Sequence, residues 1–283
     1  MTIERTSKYK IRKSNPYNSA LYNFQEDLKI LKELNHKLAD SIDMMKVDAF
    51  RDIKSKISKL DKETKNELTE ILKKVHSVAR KKAAHPTDTF EIEIEITTTT
   101  EKSAKTLVEI VTDSFMIPNS LLRFIRDMGL VYLVAEYEHF LRKTIATTFT
   151  KKPEILSTCK KSLTFEKLIK FESLDAVKEE LVEKEASEIT NKDVEEIKKY
   201  FQEKLNINLS EYGNWENFTE RFYRRNILIH NSGMPNDQYR RKTGYTGKNE
   251  RLSVNKEYLD DSIGIFENMA KNIAKSLRDK YKT

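Results

Sequence analysis

The chain has 283 residues, 34% of them charged and only six of them glycine, and its 52 Lys+Arg against 45 Asp+Glu give a formal charge of +7. A mean hydropathy of −0.68 and a pI near 9.1 predict a strongly helical, polar-surfaced protein with room for one or two cores, which tolerates an anionic partner without demanding one. The longest nearly uninterrupted apolar run, 129–135, is too short to span a bilayer, the N-terminus lacks the apolar stretch of a signal peptide, and the lone Cys159 excludes an intrachain disulfide and a cysteine-based zinc site.

These features predict a cytoplasmic chain with no membrane partner, in which Cys159 is an ordinary thiol. Residues 1–17 are basic and short of apolar side chains, with Lys8, Lys10 and Arg12 alternating against Tyr9 and Ile11. They form either a disordered arm or a strand facing Phe90–Ile96, where Glu91, Glu93 and Glu95 alternate with isoleucines. From Leu21 a heptad seam runs through Phe24, Leu28, Leu31, Leu38, Ile42 and Met45, with Asn35 at its one polar position. A single asparagine at such a position sets register in a coiled coil. An ordinary helix packed in a bundle fits equally well. A second helical stretch carries Phe50, Ile53, Ile57 and Leu60, then Leu68, Ile71, Val75 and Val78.

A strand at about 90–97 gives way to a short helix near 101–113, and Pro118 is the expected domain boundary. The predicted organisation is therefore mainly α: a helical, coiled-coil-like region over 1–117 with a possible small β-ribbon, then a helical domain over 118–283. From Asn119, an N-cap residue type, Leu121, Leu122, Ile125, Met128, Leu133, Tyr137, Phe140 and Leu141 mark a helix apolar enough to be central. Glu138 is its odd member. It pairs with Arg225 or another cation, or it sits on an exposed polar edge.

Residues 150–190 read as irregular to helical, with 178–188 a charged surface segment. Val194, Ile197, Phe201 and Leu205 form an amphipathic helix capped near Asn191. Residues 214–231 form the next helix, with Asn214 as N-cap and Gly233 and Pro235 as stop signals. A polar loop over 237–256 follows, carrying Arg240, Arg241, Lys242, Lys248, Arg251 and Lys256 against Asp237 and Glu250, and the closing helix presents Leu259, Ile263, Phe266, Ile273 and Leu277.

The 214–231 helix holds the one segment where local rules are broken. At about 100° per residue, Phe218, Phe222 and Ile229 form a core-facing stripe, with Arg225 and Asn226 at its two edges and His230 beside it. A charge and an amide bordering buried surface are costly unless each finds a partner. Such a conflict points to a site. Arginine, four residues and histidine is a weak pattern alone, and Arg80 with His85 repeats it where a basic helix is ending; that match reads as a solvated helix end. The second match is richer, running Arg225, Asn226, Ile227, Leu228, Ile229, His230, Asn231, Ser232, Gly233. This run, late in a helical chain, resembles the HEPN superfamily (higher eukaryotes and prokaryotes nucleotide-binding), many members of which are metal-independent endoribonucleases.

The resemblance covers roughly 118–283, is specific in the motif and is one of pattern elsewhere. It implies a HEPN-like helical bundle, Arg225 and His230 as catalytic residues with Asn226 orienting them, RNA as substrate and a homodimer as the active unit. One subgroup carries a tyrosine two residues after the histidine. Ser232 stands there in this chain, which argues against that toxin subgroup. Chemically, RNA is cut without metal because its 2′-hydroxyl is an internal nucleophile needing only a base, an acid and a group to hold the phosphorane charge. Imidazole and guanidinium suit those tasks. The sequence has no HExxH, no Asp/Glu cluster at metal spacing and no Gly-rich phosphate loop, so no cofactor or metal is expected. Arg240, Arg241, Lys242 and Asn231 are the candidate RNA contacts.

Arg225 and His230 lie about 140° apart around their helix, so one chain presents them poorly to a single phosphate, whereas a two-fold dimer would pair one chain's arginine with the other's histidine. Three readings are open: a homodimeric endoribonuclease of growth-arrest or phage-defence type, with a possible antitoxin or regulatory partner; a HEPN-like module that binds RNA or nucleotide, or dimerises, without cutting; and an all-helical adaptor in which the Arg/His pair belongs to a satisfied network.

Overall fold

The computed structural model describes residues 15–82, 98, 100–159 and 162–281. Every regular element among them is helical: α1 (Pro16–Ser58), α2 (Lys62–Lys82), α3 (Glu101–Val111), α4 (Ile117–Lys151), α5 (Leu174–Thr190), α6 (Val194–Tyr200), α7 (Trp215–His230), α8 (Asp237–Thr243) and α9 (Lys256–Lys280), with short helical turns between some of them. The mainly α class expected from composition holds. Residues 1–14 of the expected arm or strand over 1–17, the strand at about 90–97, and His85 of the second Arg/His match lie outside the described residues, while Pro16 and Tyr17 already belong to α1, which corrects the end of the arm.

The chain divides into two compact units, Met1–Lys32 with Gly129–Leu252 and Asp260–Thr283, and Glu33–Met128 with Ser253–Leu259. In the first unit, the apolar middle of α4 is central, as its composition requires: Leu130, Leu133, Val134, Tyr137, Phe140, Leu141, Ile145 and Phe149 are all buried. Tyr137 sits among the rings of Phe24, Phe218, Phe222 and Phe266, with centroids 4.9–6.1 Å away and edge-on geometry throughout. Aromatic rings favour that arrangement because their positive edges meet negative faces. Phe24 also stacks on Phe140 at 5.5 Å, and Phe24, Leu28 and Leu31 are buried. This part of the seam therefore packs within the chain, as in the bundle alternative. Tyr17 shares a hydrogen bond with Thr148 at 3.1 Å, and Gln25 donates to Glu267 at 3.0 Å.

In the second unit, Ile53, Ile57, Leu68, Ile71, Leu107 and Ile110 form a core of their own. Asp61 caps α2 by accepting from the Thr64 backbone at 3.1 Å and binds Lys102 on α3 at 2.7 Å. These contacts hold its carboxyl well below the usual carboxylate range, with the lysine the largest cause. Asn35 is 1% exposed and donates to the Lys256 carbonyl at 3.0 Å. The buried amide N–H is thus bound to the start of another helix of the same chain. Before α4 the backbone makes a wide π turn at Thr112–Met116, and Pro118 lies in the first turn of α4, where a proline's missing N–H costs nothing. The helix thus begins ahead of Asn119.

Two local expectations are corrected around the site. The cap of α6 is Asp193, which accepts from the Glu195 backbone at 3.0 Å, and Asn191 instead closes α5. Residues 237–243 form a helix where a loop was expected, capped by Asn236 and ended by Gly244 at φ 69°. Val194, Ile197, Phe201 and Leu205 are buried as their spacing implies.

Candidate functional site

Helix α7 forms for the reasons its sequence supplies. The Asn214 side chain accepts from the Asn217 backbone at 3.0 Å, and Glu216 lies in the first turn, both favourable at the positive end of the helix dipole. At the other end the backbone N–H groups of Asn231 and Gly233 both donate to the Ile227 carbonyl, at 2.9 and 2.8 Å. Gly233 takes φ 79°, and a Cβ there would approach the Arg251 side chain to 3.1 Å. Glycine meets both demands.

Phe218 and Phe222 face the core, 1% and 5% exposed. Ile229, expected beside them, is 46% exposed, which corrects the stripe. The core ends one turn earlier, so the face that is buried at Phe218 and Phe222 emerges at Asn226, Ile229 and His230, all exposed. Ile227 and Leu228 take over the inward contacts, 3% and 9% exposed.

Arg225 stands at the edge of that emergent face. Its side chain is 21% exposed, and Nη2 donates to the Glu138 carboxylate, whose side chain is 27% exposed. The sequence left Glu138 open between a partner for Arg225 and a solvated edge; it is the partner. Burial pushes the Glu138 carboxyl up, and the Arg225 charge and hydrogen bond oppose that shift. Arg225 Nε is buried and has no acceptor.

The neighbouring arginines are committed elsewhere. Arg221 is buried and donates to Asp261 at 2.5 Å and to the Asn217 carbonyl at 2.9 Å. Arg224 donates to Glu220 at 2.9 Å and lies 5.8 Å from the Tyr239 ring centre, while the Tyr239 hydroxyl donates to the same Glu220 oxygen at 2.5 Å. Burial, then the Glu220 charge, pushes the Tyr239 hydroxyl far up, with Arg224 opposing. This network fastens α8 to α7 and was missed in the sequence. Glu220 and Arg224 are four apart, a readable helical pair, but Tyr239 joins them only because α8 exists.

The candidate RNA contacts divide accordingly. Asn231 is half-buried, and its Nδ2 donates to the Met234 carbonyl at 2.6 Å, so it braces the turn after α7. Arg240 donates to the Gly247 carbonyl at 2.9 Å and lies 5.3 Å from the Tyr245 ring centre. Lys242 is 3.7 Å from Asp193 and 5.7 Å from the Tyr223 ring centre. Arg241 is exposed and, among the described residues, has no ion pair, leaving its charge available to a phosphate.

Cys159 is half-buried near Tyr200, and burial pushes its thiol up, a poor setting for a nucleophile. Among the described residues no group of three His, Cys, Asp or Glu side chains is placed to hold a metal ion, and no helix is long and apolar enough to cross a membrane. Comparison with protein-family models, with curated proteins and with solved structures finds no match to this chain.

Proposed function

We propose that the protein is a homodimeric endoribonuclease that cuts RNA by attack of the 2′-hydroxyl on its own phosphate, with His230 transferring protons, Arg225 holding the phosphate and Asn226 orienting them. The observation that carries this reading is the end of α7. Asn226, Ile229 and His230 are exposed over the last two turns, Ile229 being a large apolar side chain 46% exposed, and the part-buried Arg225 stands at their edge. A polar set beside an exposed apolar residue is compatible with a surface that a second chain completes. The resemblance of residues 225–233 to the HEPN motif supports the same roles, and the 140° separation of Arg225 and His230 supports pairing across a two-fold axis.

In this mechanism His230, as base, takes the 2′-hydroxyl proton of the nucleotide before the scissile bond. The resulting alkoxide attacks phosphorus, the guanidinium of Arg225 from the facing chain neutralises the non-bridging oxygens, and as the bond from phosphorus to the 5′-oxygen breaks a protonated histidine donates a proton to that leaving oxygen. Arg241 adds an exposed charge for flanking phosphates. The physiological setting that fits such an activity is growth arrest or phage defence in the cytoplasm, restrained by an antitoxin or regulatory partner.

The exposed last turn equally serves a HEPN-like module that binds RNA or dimerises without cutting, and Ser232 in the place of the subgroup tyrosine favours that second reading. Incubating purified protein with RNA in excess EDTA separates the two. The nuclease reading expects fragments with 2′,3′-cyclic phosphate ends, lost in His230→Ala by about two to four decades in rate. Binding without fragments supports the second reading. Activity that chelation removes and magnesium restores contradicts the mechanism.

A further inference from the structure

Arg225 is held on one side only. Its Nη2 donates to Glu138, its Nε is buried without an acceptor, and Nη1 makes no hydrogen bond among the described residues. The backbone that carries Glu138 is anchored in the core, because Tyr137 beside it is 1% exposed and wedged among Phe218, Phe222 and Phe266. The carboxylate therefore grips one edge of a planar group and leaves the other edge free, while cancelling part of its charge.

We propose that Glu138 is a positioning residue that presents the free edge of Arg225 to an RNA phosphate, trading ground-state affinity for orientation; this rests on the nuclease reading above. A guanidinium free to rotate would bind phosphate more strongly but in many poses, and only one pose stabilises charge as it develops at phosphorus. The held pose sacrifices attraction for geometry. Glu138→Gln keeps the size of the side chain while removing the charge, and its neutral amide oxygen holds the guanidinium only about half as strongly as a carboxylate does. It should tighten RNA binding and slow the chemical step together, a combination that loss of fold cannot produce.

The test measures KM and kcat for wild type, Glu138→Gln and Glu138→Asp, together with equilibrium binding of a 2′-O-methyl RNA, which lacks the nucleophile. Glu138→Gln is expected to bind the 2′-O-methyl RNA about fivefold more tightly, the scale of one unopposed charge at contact distance in water, with KM falling in step. Its kcat is expected to fall about 10- to 100-fold, the scale of a misplaced group. Glu138→Asp should return binding to the wild-type level and recover part of kcat. Adding Arg225→Ala to Glu138→Gln should abolish the tightening. The proposal is overturned if Glu138→Gln leaves KM and kcat within about twofold, or if binding and kcat weaken together. Should the wild type cut no RNA, the nuclease reading fails and the binding arm decides alone: tightening that depends on Arg225 upholds the grip of Glu138 on the arginine, and unchanged binding overturns it.

Discussion

Replacing Ile229 by alanine probes the face on which the proposed dimer would depend. Burying an isoleucine completely is worth about 1.5–3 kcal/mol. Ile229 is 46% exposed in the single chain, so about 0.7–1.4 kcal/mol remains to be gained when a second copy covers it. A two-fold axis uses the residue twice, giving about 1.4–2.8 kcal/mol per dimer, or roughly a 10- to 100-fold change in dissociation constant when most of the side chain is removed. The isolated chain already buries the rest of that side chain, so its own fold should lose about 0.8–1.6 kcal/mol. Alanine's higher helix propensity offsets part of that loss. Sedimentation velocity over a concentration series gives the dimer constant, and urea unfolding at a concentration where the chain is monomeric gives the fold. An unchanged dimer constant would refute the placement of Ile229 in the interface. A loss of fold stability with no loss of dimerisation would show that Ile229 packs only within its own chain.

Two other substitutions test the packing and the electrostatics separately. The Tyr137 hydroxyl is fully buried with no hydrogen-bond partner, so Tyr137→Phe should be neutral or stabilising by about 1 kcal/mol in denaturant unfolding, and destabilisation by that amount would reveal a partner for the hydroxyl. Arg241→Ala should weaken RNA binding and lower the slope of log affinity against log salt by about 0.7 while leaving kcat unchanged; an unaltered slope would remove Arg241 from the RNA path.

The sequence is legible where one local signal decides the outcome. The Asn214 cap, the burial of Phe218 and Phe222 and the four inward residues from Val194 to Leu205 all follow from spacing and cap chemistry. Glu138 stood out as an acid in an apolar helix, but only the structure decides between Arg225, another cation and a solvated edge. The misread elements depend on tertiary limits that periodicity does not carry. Ile229 shares a helical face with Phe222, but the core stops before it, and where a core stops is set by other segments. Asn191 and Asp193 are both capping types two residues apart; Asp193 caps α6 and is also the acceptor for the Tyr223 hydroxyl at 3.0 Å. The seven residues of α8 are too few and too basic to show a period, and its one buried anchor, Tyr239, is 2% exposed.

The central claim is that one active site takes its arginine from one chain and its histidine from the other. Mixing the inactive variants Arg225→Ala and His230→Ala under conditions that allow exchange of chains tests it directly. The mixed dimer retains one intact pair, so RNA cleavage in EDTA should return to a substantial fraction of the wild-type rate while each variant alone stays about two to four decades down. A mixture as inactive as its components, with exchange demonstrated, would contradict a site shared in this way, and a wild-type chain fully active as a monomer would contradict the dimer itself.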